Sequence, residues 1–150
     1  MKKWGVSMLI RNMEEKDLKD VSMLYESLMD QKSDIGSMIE KFSLMSKNHN
    51  YILIVAEENG KVVGTVMGII CVTMVSNFNF FLVVEDLIVD KEYRKRGISK
   101  GMFLKLESRA KELGCTYSIL VSGKQRKEAH KLYEGLGYGE DGAKGFRKSL

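Results

Sequence analysis

The segment Arg94-Lys95-Arg96-Gly97-Ile98-Ser99-Lys100-Gly101 stands between an apolar run, Phe80 to Val89, and the helical pattern that follows. A strand that ends in a cationic, glycine-containing turn and opens directly into a helix aims unpaired backbone N–H groups and the helix N-terminus at one point. Such a point is suited to phosphate oxygens. The turn lacks the Gly-x-x-x-x-Gly-Lys-Ser/Thr of nucleoside triphosphate loops and the Gly-x-Gly-x-x-Gly of dinucleotide folds, so neither nucleotide reading has its main support.

The surrounding pattern supplies the other elements. Met8 to Arg11 reads as a short strand, and Asn12-x-x-Glu15 as a capping pair that opens a helix carrying Leu18, Val21, Tyr25 and Leu28 on one stripe. A second helix begins near Asp34. Tyr51 to Ala56 is a β-branched strand, Glu58-Asn59-Gly60-Lys61 a type I′ hairpin turn, and Val62 to Val75 the returning strand. Asn77 to Asn79 makes the next turn, and Phe80 to Val89 is a third antiparallel strand. A helix from Ile98 to Leu113 stops at Gly114. The crossover it makes allows Tyr117 to Val121 to lie parallel to Phe80 to Val89. A last helix runs from Arg126 to Leu136, with short closing strands at Tyr138 and over Phe146 to Leu150. The expected order is β-α-α-β-β-β-α-β-α-β-β, an α/β fold with a mixed, mostly antiparallel sheet flanked by helices.

Composition narrows the class. With 150 residues, 44% of them hydrophobic, and no proline, linker or repeat to mark a boundary, residues 1–150 read as a single domain. The net charge of +4 arises from 24 basic and 20 acidic residues, too balanced for a nucleic-acid binder, whose basic residues spread along a face among aromatics. Cys71 and Cys115 have no second Cys or His at metal-ligand spacing, which points to reduced thiols in a cytoplasmic protein and to no metal. Met1 to Gly5 is charged and lacks a signal-peptide apolar core. The longest apolar run, Val62 to Val75, is interrupted by Gly64, Thr65, Gly68 and Thr73 and is too short to span a membrane. No membrane partner is expected, and a homodimer is compatible with the sequence.

Read as Arg94-x-x-Gly97-x-Ser99, the turn resembles the acyl-CoA-binding signature of the GNAT superfamily of N-acetyltransferases, with Ser99 where Gly or Ala is usual. A second constellation, Arg126-x-x-Ala129-His130-x-Leu132-Tyr133-x-x-x-Gly137-Tyr138, resembles motif B of the same family, with Arg126 where Asn is common. The resemblance covers nearly the whole chain. It implies that acetyl-CoA is the cosubstrate and that the backbone of Leu87, Ile88 and Val89 pairs with its acetyl and pantetheine amides. Arg94, Lys95, Arg96, Gly97, Ile98, Ser99 and Lys100 would hold the pyrophosphate, and Arg126 would add a cation near the phosphates. Tyr133 would protonate the departing thiolate, against the competing reading that Ala129, Leu132, Tyr133 and Leu136 are a core stripe. His130 lies beside that stripe, where a structural or solvated role outweighs a basic one.

Acetylation of an amine requires the nitrogen to be deprotonated. Strict alternation along Phe80 to Val89 puts Glu85 and Asp86 on opposite faces, so one carboxylate alone reaches the acceptor, and the family analogy favours Glu85 as base or as anchor for an ammonium. The resulting expectation is direct transfer to a primary amine, a small molecule or a peptide, within a ternary complex. The alternative is a non-catalytic CoA-binding sensor or partner-binding module.

Overall fold

The computed structural model describes residues 8–75 and 80–150. Its single five-stranded sheet has the order β1-β2-β3-β4-β5, with β1 Met8–Asn12, β2 Tyr51–Glu58, β3 Lys61–Val72, β4 Phe80–Val89 and β5 Cys115–Leu120. The helices are α1 Leu18–Met29, α2 Ile35–Ser46, α3 Ile98–Glu112 and α4 Lys127–Gly135. Strands β1 to β4 pair antiparallel, whereas β5 pairs parallel to β4 after the α3 crossover. This is the mixed, mostly antiparallel α/β arrangement expected from the pattern. The turn expected at Asn77 to Asn79 and the charged Met1 to Gly5 lie outside the described residues.

Local chemistry accounts for the joins. Between β2 and β3, Asn59 and Gly60 have φ of 52° and 83°, the two positive values that a type I′ turn requires. The entry to α1 differs from the expected Asn12–Glu15 pair: the Glu14 N–H donates to the Asp17 carboxylate at 2.8 Å, and a short 3₁₀ turn over Glu15–Asp17 precedes the helix. Asn12 is instead the last residue of β1. Helix α2 begins where expected, and Asp34 caps it, accepting from the Ser37 N–H at 3.1 Å.

Each face of the sheet has its own apolar cluster. Met102, Phe103, Leu106 and Ala110 of α3, with Tyr133 of α4, pack on Ile54, Val66, Leu82 and Val84. Met102, Phe103 and Leu106 are wholly buried, and each such side chain contributes about 1.5–3 kcal/mol of transfer free energy. On the opposite face Val21 and Leu24 of α1 meet Val55, Val62 and Ile88, with Tyr25 and Met38 at the margin.

The two closing strands do not form. After α4 the chain runs through turns in which Gly137, Gly139 and Gly142 have φ of 91°, 88° and 72°, and residues 143–150 carry no strand. Left-handed glycines prevent an extended run, and Lys144, Arg147 and Lys148 dilute the few apolar side chains that a sheet edge could bury. Strand β5 therefore ends the sheet among the described residues.

Candidate active site

The turn before α3 has the geometry that its sequence suggested. Gly97 is the N-cap, with φ 77° and ψ 9°, and makes no side-chain cap. The Gly101 N–H bonds back to the Gly97 carbonyl at 3.0 Å. By helix geometry the N–H groups of Ile98, Ser99 and Lys100 precede that first intrahelical bond and point out of the helix end. A Cβ built on Gly97 meets nothing within 4 Å, so glycine is required by the left-handed φ and not by crowding from the protein. Lys95, two residues earlier, is also left-handed, with φ 61°.

These groups border a cleft of ≈ 820 Å³ between the turn and the start of α4. From β4 it takes Leu87, Ile88 and Val89, and from the turn Arg94, Lys95 and Gly97 to Lys100. Arg126 stands opposite. The cleft also contains residues that the sequence had not marked as site residues: Leu28 at the end of α1, Tyr93, and Gln125, Lys127 and Glu128 around the start of α4. No local signal distinguishes these from an ordinary solvated surface.

Arg96 departs from the expected set. Its guanidinium reaches Glu58 at 3.2 Å and lies 5.0 Å from the centre of the Tyr93 ring, so its side chain braces the turn against β2 and does not line the cleft. Arg94 divides its roles. It lines the cleft, and its Nε donates to the Val89 carbonyl at 3.1 Å, tying the turn to the end of β4.

A bulge in β4 opens the strand beside this turn. Thr65 pairs with Ile88 and Met67 with Glu85, so the single residue Val66 opposes both Asp86 and Leu87. Asp86 has φ 54°, the backbone signature of the irregularity. Pairing with β5 ends at Val84–Leu120. From Glu85 to Val89 the edge of β4 facing away from β3 thus has no strand partner among the described residues; Leu87, Ile88 and Val89 of this stretch line the cleft, whereas Glu85 and Asp86 do not.

The bulge also corrects the expected alternation. Val84 and Val89 belong to the α3 cluster, with Leu87 packed against it, whereas Ile88 belongs to the α1 cluster. Between Val84 and Leu87 two consecutive residues, Glu85 and Asp86, therefore share the α1 face, where a regular strand would have separated them. Both carboxyls reach solvent yet are desolvated by their surroundings. Burial first, and the neighbouring Asp86 charge second, raise the Glu85 carboxyl above the ordinary carboxylate range, with Arg147 acting in the opposite direction. Burial likewise raises Asp86. Tyr25, on α1, feels Asp86 as well: burial and then the Asp86 charge push its phenol up to about 12, while a hydrogen bond with Thr65 opposes the shift. Its place on a helical core stripe concealed Tyr25 in the sequence.

Tyr133 is buried, 8% exposed, with its ring edge-on to Phe103 and Tyr138 at 5.8 and 6.3 Å between centroids. In sequence it follows Leu132 by one residue and Ala129 by one turn, both of which line the cleft. The geometry shows the core ring; Tyr133 itself is not part of the cleft lining. Burial raises its phenol above the usual range, while the Arg126 charge and a hydrogen bond with the Ser122 side chain act against that shift. Tyr138 is held separately, donating to Glu107 at 3.0 Å and sharing a 2.7 Å hydrogen bond with Ser118.

No helix among the described residues is long and apolar enough to cross a membrane. A family model described as Acetyltransferase (GNAT) family matches residues 18–138. Similar solved structures include a transcriptional regulator from Bacillus halodurans C-125, 25% identical with a TM-score of 0.85, covering 96% of this chain and 100% of that one. Glucosamine-6-phosphate N-acetyltransferase from Arabidopsis thaliana is 23% identical with a TM-score of 0.82, covering 96% and 97%. An aminoglycoside N-acetyltransferase in complex with CoA is 16% identical with a TM-score of 0.81, covering 100% and 97%. These neighbours share the fold, and the match over residues 18–138 carries the assignment: the chain belongs to the GNAT family of acetyltransferases.

Proposed function

We propose that the protein moves the acetyl group of acetyl-CoA to a primary amine by direct attack within a ternary complex. The observation that carries this reading is the conjunction, in one cleft, of a strand edge opened by the Asp86 bulge and a left-handed glycine turn that opens α3. An extended arm with amide groups pairs with such an edge as an added strand would. A pyrophosphate accepts from the N–H groups of Ile98, Ser99 and Lys100 in the field of the helix N-terminus, with Lys95, Lys100 and Arg126 supplying positive charge. The absence of a Cβ at Gly97 leaves the approach to those amides open.

The bound substrate supplies a thioester carbonyl activated toward attack. Backbone N–H groups on the free edge from Glu85 to Val89 donate to the oxygen where negative charge develops. On the opposite side of the strand Glu85 and Asp86 face the acceptor, attract its ammonium form, and Glu85, directly or through a water, removes the proton that frees the lone pair. Tyr133 donates its phenolic proton to the leaving sulfur.

Release of CoA thiol from acetyl-CoA, followed across a panel of terminal-amine peptides, lysine peptides, polyamines and aminoglycosides, tests the proposal. Release that depends on one class of amine and saturates with it is the expected result. Acetyl-CoA binding without release for any amine would favour the sensor or partner-binding alternative.

A further inference from the structure

Glu58 ends β2 on the face that carries Ile52, Ile54 and Ala56, because side chains alternate along the strand, and those three belong to the α3 cluster. A buried carboxylate at the end of such an apolar run needs a partner. Arg96 provides it from the turn before α3, its Nη1 donating to both carboxylate oxygens at 3.3 and 3.2 Å. A second tie runs from the same β2–β3 hairpin. Lys61 Nζ lies 3.4 Å from the Asp90 carboxylate, whose other oxygen accepts from the Glu92 N–H at 3.1 Å. Between the two ties stands Tyr93, part of the cleft lining, with Lys61 Nζ at 5.5 Å and the Arg96 guanidinium at 5.0 Å from its ring centre. The hairpin thus grips the segment from Asp90 to Gly97.

Arg96 is flanked by two left-handed residues, Lys95 with φ 61° and Gly97 with φ 77°. Glycine adopts this region freely, whereas a lysine stays there only when its surroundings hold it. The side chain between them is the one anchored on Glu58. We infer that Glu58 is a positioning residue for acetyl-CoA: through Arg96 it keeps Lys95 and Gly97 in the conformation that aims the N–H groups of Ile98, Ser99 and Lys100 into the cleft before the ligand arrives. This rests on the reading of that turn as the pyrophosphate site. Glu58 and Arg96 lie outside the cleft lining, and they act through Tyr93, Lys95 and Gly97, which belong to it. Without the brace the turn samples conformations that do not bind, and apparent affinity falls with the fraction that still does. Turnover of the bound complex is untouched, because the reacting thioester sits at the far end of the extended arm.

Glu58→Gln keeps the size of the side chain and removes its charge. With one tenth of the turn left competent, its calorimetric Kd and its KM for acetyl-CoA should each rise about 10-fold, while kcat at saturating acetyl-CoA stays at the wild-type value. Acetyl-pantetheine, which has the thioester and the amide arm but no pyrophosphate, should be turned over with the same kcat/KM by Glu58→Gln and by the wild type. Arg96→Met, at a half-exposed side chain, should weaken acetyl-CoA binding as well, and adding Glu58→Gln to it should cost no further affinity. Circular dichroism checks the folding of each variant, and Arg96→Met carries the comparison of the two thioesters if Glu58→Gln does not fold. Wild-type affinity in Glu58→Gln, additive losses in the double variant, or an equal loss for acetyl-CoA and acetyl-pantetheine would overturn the positioning role while leaving the phosphate site in place. Unchanged acetyl-CoA affinity in a folded Gly97→Glu protein would instead remove the phosphate site itself, and the positioning role with it.

Discussion

Gly97 offers the sharpest perturbation, because its two contributions separate by substitution. Its φ of 77° is the left-handed region, and a Cβ there meets no protein atom within 4 Å. Gly97→Ala should therefore lose folding stability through conformation alone, about 1–2 kcal/mol for a non-glycine residue held left-handed. That corresponds to a fall in Tm of about 2–8 °C for a chain of this size. Gly97→Asn should lose less stability, since asparagine tolerates this region, yet it projects more atoms into the open space. Gly97→Glu adds a negative charge beside the α3 N-terminus, where the helix dipole returns about 0.3–1 kcal/mol of the conformational loss. If the pyrophosphate sits on these amides, acetyl-CoA affinity should fall at least about 10-fold for Asn and about 100-fold or more for Glu, where each factor of ten is 1.4 kcal/mol. Affinity would then run opposite to stability, Asn being the more stable of the first two variants and the weaker binder. Calorimetric titration of each folded variant reads the affinity, and thermal unfolding reads the stability. Unchanged affinity in a folded Gly97→Glu protein would refute the placement of the phosphates.

Glu85 should show itself in the pH profile. Its carboxyl is raised above the ordinary range by burial and by Asp86, so the wild-type rate should climb with pH as that group loses its proton. Glu85→Gln should depress the rate more at neutral than at alkaline pH, where free amine is already abundant; equal depression at every pH would make Glu85 an anchor instead of a base. Gly68 lies against α3, and a Cβ there would come within 2.5 Å of a terminal carbon of the wholly buried Leu106. Gly68→Ala should destabilise by about 1–3 kcal/mol in urea unfolding, and a neutral effect would mean that Leu106 has room to move. Asp17 is buried with both carboxylate oxygens on Arg11, at 2.7 and 2.8 Å. Burial works against its charge, yet the bonds from Arg11 and the Glu14 N–H outweigh it and hold the carboxyl below the ordinary range. Its stabilising contribution is present above that range and is lost as pH falls through the depressed value, below about 4. Asp17→Asn should cost about 3 kcal/mol at neutral pH and flatten the acid limb of the stability curve; wild-type stability would show that the Arg11–Glu57 pair suffices alone.

Sequence patterning revealed most of the frame, because period-2 runs, the Asn59-Gly60 turn and the Gly114 stop each act through local physics. The left-handed φ of Gly97 and of Asn59 follows from residue type and neighbours. Three features depend on tertiary context and could not be read locally. The Asp86 bulge arises where β4 must match β3 while leaving β5, and by adding one unpaired residue it brings onto one face the two carboxylates that alternation had separated. Arg96 looks like its neighbours Arg94 and Lys95 in sequence, yet Glu58, distant in the chain, claims its side chain. Residues 137–150 carry some strand-forming residues, but three left-handed glycines and a run of cations leave them outside the sheet. Tyr133 remained divided between core and catalysis for a physical reason, since the same helical spacing that packs its ring on Phe103 also puts it next to Leu132 and one turn from Ala129, which line the cleft.

Direct transfer to an amine is tested most plainly by mass spectrometry of a single mixture of protein, acetyl-CoA and acceptor. The account predicts an N-acetylated amine formed in equal amount with CoA thiol, and protein of unaltered mass both before and after the amine is added. Acetyl-CoA that remains intact beside every amine offered, or a protein that itself carries the acetyl group before the acceptor arrives, would contradict it.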